Sequence, residues 1–133
     1  MKIDQIYLHK ILNVFMDSDR HCVDISDFKA ANIEIDDKFL FHMQILEDQK
    51  FIEAYNEESF IGYHVSLSGN FEWVSQILRL TAEGHKFADA FNVEEVFQIL
   101  NTDFKDLSVS TLVDASKQLM AGFTKSRVKK YFE

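Results

Sequence analysis

The 133-residue chain has no proline, one cysteine and four glycines, and its 14 Lys/Arg are outnumbered by 22 Asp/Glu. Each shortage excludes something. Without proline there is no missing N–H or locked φ to interrupt a helix, which suits a chain built mainly of helices. A lone Cys22 cannot close an internal disulfide, which points to a reducing compartment, the cytoplasm. Four glycines, none of them grouped, leave no phosphate-cradling loop of the usual type. No apolar run reaches the length of a membrane span. Met1-Lys2 leads into an amphipathic segment, so no signal peptide is expected. What is present is apolar: 47% hydrophobic residues, thirteen of them phenylalanine. At this length that is enough for one domain to bury a single core without staples.

Catalytic and metal chemistry are also thin. The histidines at 9, 21, 42, 64 and 85 show no ligand spacing, and His21-Cys22 is the one thiol–imidazole neighbour pair. Adjacent residues rarely close a metal site, so neither a metal nor any other cofactor is expected. His42 and His85 read instead as partly buried hydrogen-bonding residues at element junctions. Ser68-Gly69-Asn70 lacks the strand–Ser–helix setting of a nucleophile elbow. The acid pairs Asp36-Asp37, Glu47-Asp48, Glu57-Glu58 and Glu94-Glu95 fall at helix ends or turns, where solvated acids are common. No enzyme is expected.

Charge is unevenly spread. The formal net charge is −8, and residues 1–66 hold 6 Lys/Arg against 13 Asp/Glu, a balance of −7. Residues 67–133 hold 8 against 9, a balance of −1. Lys117, Lys125, Arg127, Lys129 and Lys130 follow one another with no acid between them. The chain is an acidic body with a basic tail, and an acidic body is a poor platform for phosphate.

Hydrophobic periodicity sets out the elements in order. A helix over about 3–16 carries Leu8, Ile11, Leu12 and Phe15 on one side, with Asp4 in its first turn. Residues 17–21 read as a polar loop. A short helix follows over about 26–31, capped by Ser26 or Asp24 and ended by a left-handed Asn32. The third helix, about 36–49, should bury Phe39, Leu40, Met43 and Leu46. A strand over 51–55 turns at 56–59 into a β-rich stretch at 60–67. Ser68-Gly69-Asn70 is the best hairpin-turn signal, and 71–80 returns as the partner strand. Thr81 caps the next helix, with Glu83 in its first turn and Phe87, Ala88, Ala90 and Phe91 on one side. Gly84 should let that first turn lie close against a neighbour. A short helix over 93–100 presents Val96, Phe97 and Leu100. The last helix, about 108–131, is capped by Ser108 or Ser110.

The order α-α-α-β-β-α is that of a winged helix-turn-helix, an α+β and mainly helical fold, here with additional C-terminal helices. The expected division is a winged-helix unit at 1–91 and a helical extension at 92–133 that packs on it or forms a dimer contact. The run 41–52 resembles the recognition helix and following strand of many bacterial winged-helix proteins. Arg79-Leu-Thr-Ala-Glu-Gly-His85, followed by Phe87, resembles a group of small bacterial and prophage proteins with an Arg-Leu-Thr-x-Glu-Gly-His-x-Phe signature. Leu107-Ser-Val-Ser-Thr-Leu-Val113 is similar to that group's final helix. The resemblance implies a winged-helix fold and brings no established activity. Gln49-Lys50 departs from the small pair, such as Ala-Gly, usual at that turn.

In such a fold the third helix would carry function. It has one base, Lys38, against Asp36, Asp37, Glu47 and Asp48, a balance of −3. Major-groove readers need Arg, Lys, Asn or Gln at base edges and cations at phosphate. The candidate contacts here are Lys38, Phe41, Gln44 and Ile45, with Ser68 and Asn70 at the hairpin tip. At about 100° per residue Phe41 and Ile45 lie opposite Phe39, Met43 and Leu46, which suits a protein contact. Lys125, Arg127, Lys129 and Lys130 form a candidate basic contact. Leu112, Leu119, Met120 and Phe123 are candidate dimer contacts, giving a two-fold homodimer. The partner is DNA, as for a transcription regulator, or a protein, as for an acidic inhibitor or adaptor module, and both readings stay open at this point.

Overall fold

The computed structural model describes residues 1–55, 63–65, 71–73 and 77–132. Among these are six helices: α1 (Gln5–Met16), α2 (Ile25–Ala30), α3 (Asp37–Asp48), α4 (Ala82–Asn92), α5 (Glu94–Asp103) and α6 (Val109–Lys129). They flank β1 (Ile52–Ala54), β2 (Tyr63–Val65), β3 (Phe71–Trp73) and β4 (Leu78–Leu80). The protein is α+β and mainly helical.

Short polar side chains start the helices. Asp4, Asp24, Asp36, Thr81 and Ser108 each accept a first-turn N–H, satisfying a donor the helix itself cannot. Asp4 thus stands before α1 as its cap, whereas the periodicity placed it within the helix. Asp24, not Ser26, caps α2, closing a reciprocal pair with Asp27.

Helices α2 and α3 end alike. Asn32 (φ 62°) and Lys50 (φ 61°) take the left-handed conformation. Ile33 N–H donates to Phe28 O and Phe51 N–H to Leu46 O, while Asn32 and Lys50 donate to Lys29 O and Glu47 O. Both are Schellman turns. Asparagine tolerates this conformation and lysine does not, its Cβ crowding the next carbonyl at about 1–2 kcal/mol. Glycine removes that strain but loses more chain entropy on folding. Lys50→Gly should therefore stabilise the protein by about 0.5–1 kcal/mol in urea unfolding, and Asn32→Gly by less. An unchanged or lowered Lys50→Gly midpoint would count against this turn.

Strand β1 pairs antiparallel with β4, Ile52 facing Leu80 and Ala54 facing Leu78. Strand β2 pairs with β3, Val65 facing Phe71. Among the described residues the strands read from the sequence are represented by these paired three-residue pieces, β4 pairing with β1 rather than with the 60–67 stretch, and the turn at 68–70 lies outside the described residues. Val23, between α1 and α2, bonds Leu78 in both directions at 2.8 Å. This third edge sits where the sequence shows only a polar loop and a helix start.

One buried cluster runs through the protein, from Leu8, Ile11 and Leu12 through Phe28, Phe39, Met43, Leu46, Leu78, Phe87 and Phe91 to Val96, Leu100, Leu112 and Val113. Residues of α5 and α6 thus share one core with α1–α4. Edge-on rings link α1, α2 and α3 (Phe15–Phe28 5.6 Å, Phe28–Phe39 5.0 Å between centroids). Phe51 and Phe87 stack at 4.7 Å, and Phe91 lies 4.7 Å beyond Phe87. Such pairs add about 0.5–1.5 kcal/mol each beyond their buried area. Gln5 is buried, and its Nε2 donates to Leu100 O and Phe104 O, tying α1 to the end of α5.

Candidate functional site

The outward stripe of α3 comprises Asp37, Phe41, Gln44, Ile45 and Asp48, in which Asp37–Phe41, Phe41–Ile45 and Gln44–Asp48 are each four apart. Asp37, Gln44 and Asp48 are exposed, while Phe41 and Ile45 are half-buried rather than fully open. Leu40, expected in the core, is half-buried too, and its place is taken by His42, which is fully enclosed. Lys38 is the helix's one cation, and it is engaged. Its Nζ donates to Asp4 Oδ2 at 2.9 Å and lies 4.6 Å from the centre of the Tyr7 ring. That hydrogen bond holds the Asp4 carboxyl below its usual range. Ser68 and Asn70 lie outside the described residues.

Beneath Lys38 the polar groups are internal. Asp4 N–H donates to His42 Nε2 at 3.0 Å, and His42 Nδ1 faces Lys38 O at 2.7 Å. The backbone N–H can only donate and the carbonyl can only accept, so the ring is neutral with its proton on Nδ1. Burial lowers the His42 pKa. Tyr7 packs edge-on to that ring at 4.8 Å. Burial, aided by Asp36 and Asp4, pushes the Tyr7 hydroxyl up to about 12. This cluster joins α1 to α3 and faces inward.

The remaining candidates lie on α6. Leu112 is buried in the chain's own core and is not available to a partner, a correction to its reading as a dimer contact. Leu119, Met120 and Phe123 are half-covered by that core. Beyond Phe123 the helix leaves the body: Lys125, Arg127, Lys129 and Lys130 are exposed, as are Val128, Tyr131 and Phe132. Arg127 lies over the Phe123 ring at 5.5 Å. Between α4 and α6 opens a groove of about 500 Å³ with Phe51, Phe87, Val113, Met120 and Ala121 in its walls. Periodicity could not show it, because its walls come from three separate elements.

A second cleft, of about 520 Å³, lies between the 18–22 loop, β4 and the start of α4. Arg79 and His85 of the signature segment both line it, together with His21 and Cys22. His85 is exposed there, not partly buried as its junction position suggested.

Among the described residues no group of three His, Cys, Asp or Glu side chains is placed to hold a metal ion. None of their helices is long and apolar enough to cross a membrane. No protein-family model matches the chain, and neither a curated protein nor a solved structure is found similar to it.

Proposed function

We propose that the chain is a non-enzymatic winged-helix protein that acts by binding another protein, its third helix having lost the means to hold a nucleic-acid backbone. The winged-helix reading is supported by the order α1, Val23, α2, α3, β1, β4, with Val23 and β1 on either side of β4. The partner class rests on one observation. The outward stripe of α3 offers two exposed carboxylates, one amide and two half-buried apolar side chains, while its lone ammonium is held by Asp4. Phosphate would meet repulsion there, whereas apolar side chains within a polar rim suit a protein contact.

The exposed bases of the α6 end favour a second reading, in which the tail meets DNA without sequence preference. An electrophoretic shift assay at physiological salt with mixed-sequence duplex separates the two. Affinity should be weaker than about 10⁻⁶ M, the tight end of ordinary non-specific binding at physiological salt. Lys38→Ala should leave it unchanged. Tight binding that disappears when Lys125, Arg127, Lys129 and Lys130 are all changed to Gln would transfer the function to the tail. Tight binding lost in Lys38→Ala would restore the third helix as a DNA reader.

A further inference from the structure

The cleft between the 18–22 loop, β4 and α4 is unlike the rest of this acidic protein. Its described lining includes Arg20, His21, Tyr55, Arg79 and His85, and no acid. In a chain of net charge −8, such a wall has to be assembled, and it draws on the loop after α1, the end of β1, β4 and the first turn of α4.

Each arginine is ion-paired with a carboxylate. Asp27 Oδ2 accepts from Arg20 Nη2 at 2.7 Å, and Glu53 Oε1 accepts from Arg79 through both Nε, at 2.7 Å, and Nη2. Neither carboxylate belongs to the cleft lining. Arg79 Nη1 also donates to Leu80 O. A guanidinium has five N–H donors in a fixed plane, so each arginine is held in orientation while retaining donors. The loop carrying Arg20 and His21 is stiffened by Ser18, whose Oγ accepts from Arg20 N–H and donates to Cys22 O. His21 stands edge-on to Tyr55, 5.3 Å between ring centres. Phe15, Met16, Val23 and Leu80 supply apolar wall.

We propose that this cleft binds a small molecule carrying an oxyanion head, phosphate or carboxylate, on an apolar body. The planar fork of arginine matches both kinds of head. The apolar wall beside Tyr55 takes the body, and the volume lies within the ordinary range for small-ligand sites. The site is independent of what α3 or α6 contacts, so its failure would leave the protein-binding reading untouched.

The test is an NMR titration of the full chain with phenyl phosphate and with benzoate, using benzyl alcohol as the uncharged control and inorganic phosphate as the control that has the head without the body. Either or both anionic probes should shift the signals of Arg20, His21, Tyr55, Arg79 and His85 together, and the tighter of them names the head. Benzyl alcohol should bind at least about tenfold more weakly, as should either probe to Arg20→Gln, given the strength of charge-assisted hydrogen bonds. Inorganic phosphate should bind more weakly than phenyl phosphate. Arg20 lies on a loop with its side chain largely exposed, so this variant should melt with the parent. Arg79→Lys, which keeps the charge but loses the fork, should also weaken binding. Shifts scattered over the surface would overturn the site. So would benzyl alcohol matching the anions, or both variants binding like the parent.

Discussion

Replacing Gly84 by alanine should cost about 2 kcal/mol of folding stability, in a helix where alanine is ordinarily the better residue. A Cβ built at Gly84 would stand 2.0 Å from Phe51 O and 2.9 Å from Phe51 C, both backbone atoms that cannot rotate away. Two effects compete. Helix propensity favours alanine by about 1 kcal/mol, whereas forcing an extra carbon into a filled site costs about 1–3 kcal/mol and occasionally more. Here the clash wins, because the obstacle is itself engaged. Phe51 O accepts Thr81 N–H at 2.9 Å, and the Thr81 hydroxyl donates to Lys50 O at 2.7 Å while accepting Gly84 N–H at 3.1 Å. The start of α4 is thus bonded to the end of α3 at the spot where the new methyl would go. Urea unfolding should show a lower midpoint with an unchanged slope. Gly122 is the internal control, since a Cβ there meets nothing within 4 Å. Gly122→Ala should stabilise. If Gly84→Ala behaved like Gly122→Ala, the close approach of α4 to Phe51 would be refuted.

His42→Phe should cost about 2 kcal/mol and remove a pH dependence from the protein. The ring volume is nearly kept, but Asp4 N–H at the start of α1 loses the acceptor that the enclosed imidazole supplies, at about 1–3 kcal/mol. The pH arm follows from the neutral ring. Its folded pKa lies below the ordinary 6.5, chiefly through burial and against the pull of Asp4. The unfolded chain therefore takes up a proton near 6.5 while the folded one does not. The stability due to His42 is full above that pH and falls as the pH drops below it. The loss levels off once the pH is below the folded pKa. Its steepest slope is about 1.4 kcal/mol per pH unit. Asp4 and Asp24, both lowered from 3.8, lose their own contributions only at more acid pH. Urea midpoints of parent and variant between pH 7.5 and 4.5 should converge as the pH falls. Parallel curves would mean that His42 is charged, or not buried, in the folded protein.

The two substitutions differ in how far the sequence announces them. Gly84 is a glycine inside an otherwise good helix, three residues after a Thr cap, and it has a purpose only if something lies against it. That much can be read without coordinates, though the neighbour cannot. His42 occupies a position on α3 where the helical face alone would have placed Leu40, and only the Asp4 N–H, 38 residues away, explains why an imidazole is enclosed there. Lys38 is misread for the same reason. On its own helix it is the single cation available to phosphate, whereas in the fold it belongs to Asp4 and Tyr7.

By itself the sequence determined the six helices, the Thr81 cap outright and the caps of α2 and α6 as one of two candidates each, the buried faces of α1 and α4, and the left-handed end of α2. It also determined an acidic body with a basic end. These depend on hydrogen bonds and side-chain spacings within four or five residues of the chain, so neighbours in sequence suffice to specify them. Only the tertiary structure decided that Val23 forms a sheet edge on Leu78 and that Gln5 belongs to the end of α5. It alone placed Leu112 in the core, and brought Arg20, His21, Tyr55, Arg79 and His85 to one cleft. Each of these joins residues tens of positions apart. A buried polar group takes whichever partner the packing brings within about 3 Å, and that partner is set by how whole elements dock rather than by any local pattern.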